Sequence, residues 1–378
     1  MPAFGRRAAL KMLGGSAVLA SLFANRRALG LPVSSRLPDE ILIGTLPINA
    51  NVTFYPGAAE AFHESGLKVK IVTSHSGPLV VQAMIAGSVP IGDLGLAPAL
   101  VSMSRGLPLV APYLGGFETP QRPYERIMVR EDSPIHSLGD LKGRKIAILG
   151  RGSIADLVLS ALDKNKAAGI RKSDLKIVII PPPDQPEALE RGLVDAIFAT
   201  PPSDTVAEKQ GARTIANTTD IVPYLGFGTV MIRQEFVDTY PEATVRVFKA
   251  WIQFARWIGD HPAEAQQRSA AALHLAKDTA SAIRVPYFSR NGLPVMANVW
   301  QVLDLLVASN IMRQPDDAAA FIHKTVVEPA QRFVLPAAEA LGIQPDPAVA
   351  EMVRGKYPML PKPGSAYAGP WEKHLLVR

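Results

Sequence analysis

The chain has 378 residues, of which 48% are hydrophobic and 20% charged, with a formal charge of +6 and no cysteine. That length suggests two domains and that composition is ordinary for a soluble protein, while the missing cysteines exclude disulfides, thiolate metal sites and thiol nucleophiles. Half of the excess charge comes from Arg6, Arg7 and Lys11, in an N-terminal stretch without acidic residues. No basic stripe with interleaved aromatics follows, so nucleic acid is not the expected partner.

That N-terminal stretch reads as a leader. Gly5-Arg6-Arg7-Ala8-Ala9-Leu10-Lys11 resembles the twin-arginine export consensus, departing from it at the residue before the Arg pair and at the usual Phe. The apolar run at 12–23 contains Gly14, Gly15 and Ser16. It is well short of the ~20 residues that span a bilayer. Residues 1–30 are therefore expected to be a signal peptide for export to the periplasm by the twin-arginine pathway, cut between Ala24 and about Gly30.

From residue 40 onward short apolar runs alternate with helical patterns, the signature of α/β units and a largely parallel sheet. EILIGT (40–45) reads as a strand, and the loop LPINANV after it offers Asn49 and Asn51 as amide donors at the strand's carboxyl end, or as groups that satisfy their own turn. A helix at 56–64 ends at Gly66, and the strand LKVKIVT (67–73) leads into Ser76-Gly77-Pro78. Ser or Gly suits a helix N-cap and Pro the first helical position, so a helix starts there and Gly87 closes it. A strand at 89–93 follows, then Gly95, Ala97 and Pro98 open a helix that Gly106 ends. Two helix N-termini thus arrive side by side at the carboxyl ends of neighbouring strands, with unpaired N–H groups and positive dipole ends, a place to hold a small anion.

Strands are expected at 107–114 and 124–129, and a polar, turn-rich connection at 132–143 marks a change of lobe. The second lobe reads as strand 145–149, the loop Gly150-Arg151-Gly152-Ser153, helix 154–168, strand 174–180, helix 186–192, strand 195–199, the loop Thr200-Pro201-Pro202-Ser203-Asp204, a helix ending at Gly211 and strand 212–217. Near Tyr224 the chain returns, with a strand at 226–232. The strands at 127–130 and 229–232, which leave and re-enter, are expected to form the hinge. Val245, Phe248, Trp251, Ile252, Ala255 and Ile258 then mark a core-facing helical stripe, with Trp251 and Trp257 packing rather than stacking on a ligand. Helices at 262–276, 295–309 and 328–341 follow. The Pro- and Gly-rich tail from 344 is expected to wrap the surface without a core of its own. The expected division is 39–128 with 225–343 as lobe 1, 129–224 as lobe 2 and 344–378 as an extension.

Gly150 to Ala155 fits G-x-G-x-x-A, the dinucleotide fingerprint, which keeps an exported NAD(P)-dependent oxidoreductase as the alternative reading. That reading needs an acidic residue at the end of the next strand, whereas Asp174 starts it and Asp184 follows three prolines. Simpler alternatives are that the loop's N–H groups and the Ser153 hydroxyl face an anion that Arg151 pairs with, or that the loop only caps its helix. The 7 histidines are scattered singly, His75 in a turn, and neither H-E-x-x-H nor G-x-S-x-G occurs. Asp93 and Asp195 at strand ends either serve a site or cap a helix or pair with a base. No catalytic constellation assembles.

Taken in order, FHESGLKV (62–69), Ser76-Gly77 with VVQAMIAGSVPIGDLGLAP (80–98), SLGDLKGRKIAILGRGS (137–153) and EALERGLVDAIFATPPSDTVAEKQGA (187–212) make the chain resemble the solute-binding proteins of ABC importers in the nitrate, sulfonate and taurine group, which includes the thiamine-precursor binders. The resemblance covers most of 41–232. It implies an α/β fold, periplasmic binding protein type II-like, with two α/β lobes joined by a two-strand hinge and a helical C-terminal region. It also implies capture of a small anionic solute (sulfonate, taurine, nitrate or aromatic carboxylate) between the lobes and delivery to an ABC permease and ATPase at the inner membrane. The protein would be a monomer without catalysis, cofactor or metal. The ligand groups carried over are Asn49, Asn51, Ser76, Gly77, Gly95, Leu96, Arg151, Gly152, Ser153, Pro202 and Ser203, with Tyr224 closing over the solute. Members of the group often place an aromatic after the strand at 195–199, where Thr200-Pro201-Pro202 stands here. The pyrimidine synthases that resemble these binders rely on a cysteine-rich motif, which this chain lacks.

Overall fold

Two five-stranded sheets organise the computed structural model, which describes residues 37–354, apart from 165–167, 273 and 276, together with Trp371. The expected signal peptide lies outside the described residues, as does the expected extension beyond 354 except for Trp371. The first sheet holds β1 (Ile41–Thr45), β2 (Val69–Thr73), β3 (Ile91–Gly95), β4 (Leu109–Val110) and β11 (Gly228–Arg233), in the order β2-β1-β3-β11-β4. The second holds β6 (Arg126–Arg130), β7 (Lys145–Ile148), β8 (Lys176–Ile179), β9 (Ala196–Ala199) and β10 (Ala212–Asn217), in the order β10-β6-β9-β7-β8. Read from opposite edges the two orders match. In each, three strands run parallel and a strand from elsewhere in the chain enters antiparallel, β11 beside β3 and β6 beside β9. The sheets are therefore mixed, where the sequence suggested largely parallel ones. A small ribbon pairs β5 (Gly116–Phe117) with β12 (Tyr287–Phe288).

Between strands lie α1 (Ala58–Glu64), α2 (Gly77–Ile85), α3 (Leu96–Ser104), α4 (Ile154–Ala161), α5 (Gln185–Glu190) and α6 (Ser203–Lys209). After β11 come α7 (Gln234–Thr239), α8 (Pro241–Asp260), α9 (Pro262–Ala272) and α10 (Met296–Ala308), then a helical run over 318–340 with two π-helical stretches. The stops are chemical: Gly87 and Gly106 take φ of 79° and 77°, a left-handed conformation that glycine adopts without a Cβ clash. Along α8, Phe248, Trp251, Ile252, Ala255 and Ile258 are buried as their spacing predicts, while Val245 is only half-buried. Trp251 meets Phe62 edge-on at 5.3 Å, and Trp257 stacks on Phe254 under the Arg268 guanidinium, so both tryptophans pack as expected. Burying each such side chain contributes roughly 1.5–3 kcal/mol.

The passage between sheets differs from expectation. Residues 127–130 lie within the second sheet, between β10 and β9, and 229–232 lie within the first, because the apolar runs at 127–129 and 230–232 fit buried strands. The chain crosses just before each of them. The two crossings touch at the Phe117–Gly226 bridge, flanked by Glu118 N donating to Leu225 O at 3.0 Å and Phe227 N to Gly116 O at 3.1 Å. The crossing is tight at Gly226, where a Cβ would lie 2.3 Å from Asn298 Oδ1 and displace that side chain.

The tail also departs from expectation. It forms a helix, Pro347–Arg354, that buries Val349 and Met352, one three-residue step apart on one face. Trp371 is fully buried with its indole Nε1 donating to Pro294 O at 2.8 Å. The extension thus adds to the main core rather than lying on it.

Candidate functional site

In the first sheet the strand order reverses between β1 and β3, so the loops that follow them part at their carboxyl ends and leave a crevice. The same reversal separates β7 from β9 in the second sheet. A cavity of about 40 Å³ lies where the two crevices meet. The loop after β1 supplies Leu46, Ile48, Ala50 and Asn51, and the starts of α2 and α3 supply Gly77, Gly95 and Pro98. From the other side come Leu149, Ser153 and Ile154 at the start of α4. Glu125, Phe227 and Gly228, at the ends of the two crossings, close it.

Three helix N-termini therefore meet here, two from one lobe and one from the other. Each leaves backbone N–H groups of its first turn without intrahelical partners and carries the positive end of its dipole. Ser153 caps α4, its Oγ accepting from Asp156 N at 3.3 Å, which leaves the hydroxyl hydrogen able to donate. The Ser76 side chain makes no capping bond to α2. The walls are in contact around the cavity: a Cβ at Gly150 would stand 3.4 Å from Ser76 Cβ, and one at Gly95 3.1 Å from Ile154 Cγ1.

Of the residues expected from sequence, the cavity gathers Asn51, Gly77, Gly95 and Ser153. Neither asparagine offers what the sequence suggested. The Asn51 amide nitrogen is used up donating to Thr45 Oγ1 at 3.0 Å and Asp93 O at 2.9 Å. Asn49, fully buried, donates to Arg284 O at 2.7 Å and accepts from Tyr124 Oη at 2.5 Å, so it braces the loop. Leu96 is buried with its N–H on Phe227 O. Pro202 and Ser203 are buried after β9 without lining the cavity.

Two corrections concern charge and closure. Arg151 does not reach the cavity: its side chain is 61% exposed and pairs with Asp156 Oδ1 at 3.6 Å. Gly152, at φ 71°, turns the chain between exposed Arg151 and buried Ser153, and its N–H is committed to Asp156 Oδ2 at 2.9 Å. That commitment also removes the second glycine's N–H from any dinucleotide fingerprint. Tyr224 does not close over the cavity; its hydroxyl donates to Glu351 Oε1 at 2.9 Å on the C-terminal helix.

His75 is exposed, as a turn residue. Asp195 accepts from Lys145 N at 2.7 Å, with Arg144 at 3.8 Å. Asp93 is buried beneath the loop after β1 and accepts from Thr53 Oγ1 at 2.8 Å, and burial pushes its carboxyl up to about 7.

Sequence reasoning missed Glu125. It is 4% exposed, its Oε1 accepts from Thr200 Oγ1 at 2.8 Å, and burial, aided by the nearby Glu118 carboxylate, raises it to about 8. Glu118 is itself buried and raised to about 7 by desolvation, against hydrogen bonds from the Thr218 hydroxyl and the N–H groups of Tyr124 and Glu125. The one available signal was a lone acid directly before an apolar strand.

A larger open depression of about 500 Å³ lies between the carboxyl end of α3 and the loop at 311–317. Arg105 and Arg313 line it together with Asp316 and Asp317, so charges of both signs offset each other there.

Residues 38–275 match the NMT1-like family. The chain is 34% identical over 155 residues to an Escherichia coli (strain K12) protein named for aliphatic sulfonate binding, covering 41% of this chain and 47% of that one. It is 29% identical over 196 residues to the taurine-binding periplasmic protein of the same organism, covering 50% and 57%. The chain thus spans about half the length of the curated relatives it matches. Among solved structures, the periplasmic nitrate-binding protein NrtA from Synechocystis PCC 6803 superposes with a TM-score of 0.68 at 13% identity, covering 85% of this chain and 92% of that one. The alkanesulfonate-binding protein SsuA from Xanthomonas axonopodis pv. citri, bound to MOPS, gives 0.62 at 20% identity, covering 80% and 98%. These likenesses establish the periplasmic binding protein fold.

Proposed function

Because the chain belongs to the NMT1-like family, we propose that it is the periplasmic solute-binding component of an ABC importer, capturing a small anion between its lobes and passing it to a permease and its ATPase. One observation carries the reading: three helix N-termini from both lobes converge on a single cavity between them. The relatives named for sulfonate and taurine binding, and the nitrate-binding structural neighbour, point the same way. In this anion site the charge is held by backbone dipoles, because Arg151 faces solvent. The cavity of about 40 Å³ suits a small oxyanion head such as a sulfonate or nitrate, and a longer solute requires the lobes to part.

A thermal-shift series with alkanesulfonates, taurine, nitrate and aromatic carboxylates tests the reading. A true ligand at a hundred times its Kd stabilises by about 2.7 kcal/mol, and a melt that no anion moves would sink the proposal. Export by the twin-arginine route is tested separately. Replacing Arg6 and Arg7 with lysine is expected to leave the protein in the cytoplasm, and normal appearance in the periplasm would overturn that part.

A further inference from the structure

We propose that Glu125 enters the cleft as a neutral carboxylic acid and donates a hydrogen bond from Oε2 to the captured anion, so that capture is linked to holding one proton. The proposal rests on the anion-capture reading above. Glu125 lines the cavity at the end of the first crossing, 4% exposed. One of its oxygens, Oε1, accepts from the Thr200 hydroxyl at 2.8 Å, whereas Oε2 is buried with no hydrogen-bond partner among the described residues. An orphaned buried oxygen costs about 1–3 kcal/mol, and a group held in the cavity is what would satisfy it.

Its surroundings decide its charge. Glu118 and Tyr124 face it from its own crossing, Thr200 from the loop after β9, and Thr218 from the second crossing, through N and Oγ1 to the Glu125 carbonyl. The starts of α2, α3 and α4 bring no titratable side chain to the cavity. The neighbouring Arg126 is engaged with Asp204 at 2.6 Å and Glu208 at 3.1 Å, and no cation pairs with Glu125 among the described residues. Two carboxyls in one desolvated corner without a cation favour the protonated form of at least one, and burial with Glu118 nearby lifts Glu125 to about 8. With Thr200 donating to Oε1, the proton belongs on Oε2. A neutral acid that donates, set among three helix N-termini, presents only attractive groups to an anion. A solute that instead donated an N–H to an ionised Glu125 would bind with the opposite pH dependence.

Isothermal titration of the mature protein with ethanesulfonate and with nitrate, whose charges are fixed over the range, tests this between about pH 6 and pH 9. Binding is expected to be about tenfold weaker at pH 9, with nearly one proton taken up per anion there, read from the dependence of binding enthalpy on buffer ionisation. Glu125→Gln keeps an N–H donor but no titration, so its affinity is expected to vary less than twofold across the range. A wild-type affinity that stays flat or rises with pH overturns the proposal, as does an equal fall in Glu125→Gln. Should that variant not fold, proton uptake by the wild type decides alone. Absence of binding at every pH is a different result, which removes the anion reading itself.

Discussion

A methyl group on Gly95 would sit 3.1 Å from Ile154 Cγ1 and 3.3 Å from Pro98 Cδ, so it fits only if these side chains yield by a few tenths of an ångström while the lobes touch. Its φ of −71° and ψ of 145° are ordinary extended values, and alanine adds no backbone strain. Gly95→Ala is therefore expected to raise the Kd for ethanesulfonate about tenfold, because the walls must yield at this contact to close on the anion. An unchanged Kd would show that the wall can yield. Arg151→Ala is expected to change anion affinity less than about twofold, because the guanidinium is exposed and faces Asp156. Tyr124→Phe keeps the ring stacked on Phe227 at 5.1 Å but leaves the buried Asn49 Oδ1 unpaired, a loss of about 1–3 kcal/mol measurable by denaturant unfolding.

Among the elements, α6 and the segment at 279–284 form a joint between the lobes. Asp204, fully buried, holds Arg126 at 2.6 Å and Arg284 Nε at 3.4 Å, while Arg284 also donates to Pro123 O at 2.9 Å. Thr205 Oγ1 reaches Ala282 O at 3.3 Å and Lys209 Nζ reaches Thr279 Oγ1 at 2.5 Å, so the same two elements meet along a line. Removing one partner of a buried pair strands the other charge at about 3–5 kcal/mol. Asp204→Ala should fall in that range by urea unfolding, and a loss below 1 kcal/mol would show the joint to be dispensable. The C-terminal extension is equally bound in: Trp371→Ala is expected to lose about 3–5 kcal/mol, since the indole is fully buried and its Nε1 is hydrogen-bonded.

For the whole molecule, the buried acids set how stability follows pH. Asp93 and Glu118 are raised to about 7 and Glu125 to about 8, in each case chiefly by burial. The native state keeps protons that the unfolded chain releases near pH 4, so it binds more protons than the unfolded chain and stability falls as pH rises from about 4 to about 8, then levels. Asp140 and Asp260, lowered by hydrogen bonds from His136 and Arg290 respectively, act in the opposite sense but only at more acid pH. The melting temperature is expected to be higher at pH 5.5 than at pH 8.5; a rise with pH would contradict the assignment.

Much of this molecule was legible in the residues themselves. Glycine stops, the Ser76-Gly77-Pro78 and Gly95 helix starts and the apolar runs gave the elements in order, because caps and periodicity act within a few residues along the backbone. The meeting of α2 and α3 at one place followed from the same local rules. What those rules cannot encode is which distant groups share a volume. Two strands read as a hinge belong to separate sheets, since an apolar run says that a strand is buried but not beside which partner. Arg151 looked like the anion's counter-ion by its neighbours in the sequence, but the turn at Gly152 separates it from buried Ser153. Glu125 showed no motif at all: its place beside the cavity depends on Thr200, 75 residues away, and on a desolvated corner made by both crossings. Sequence determined the segments and where their dipoles point; packing decided which side chains face the cavity and hence in what charge state they do so.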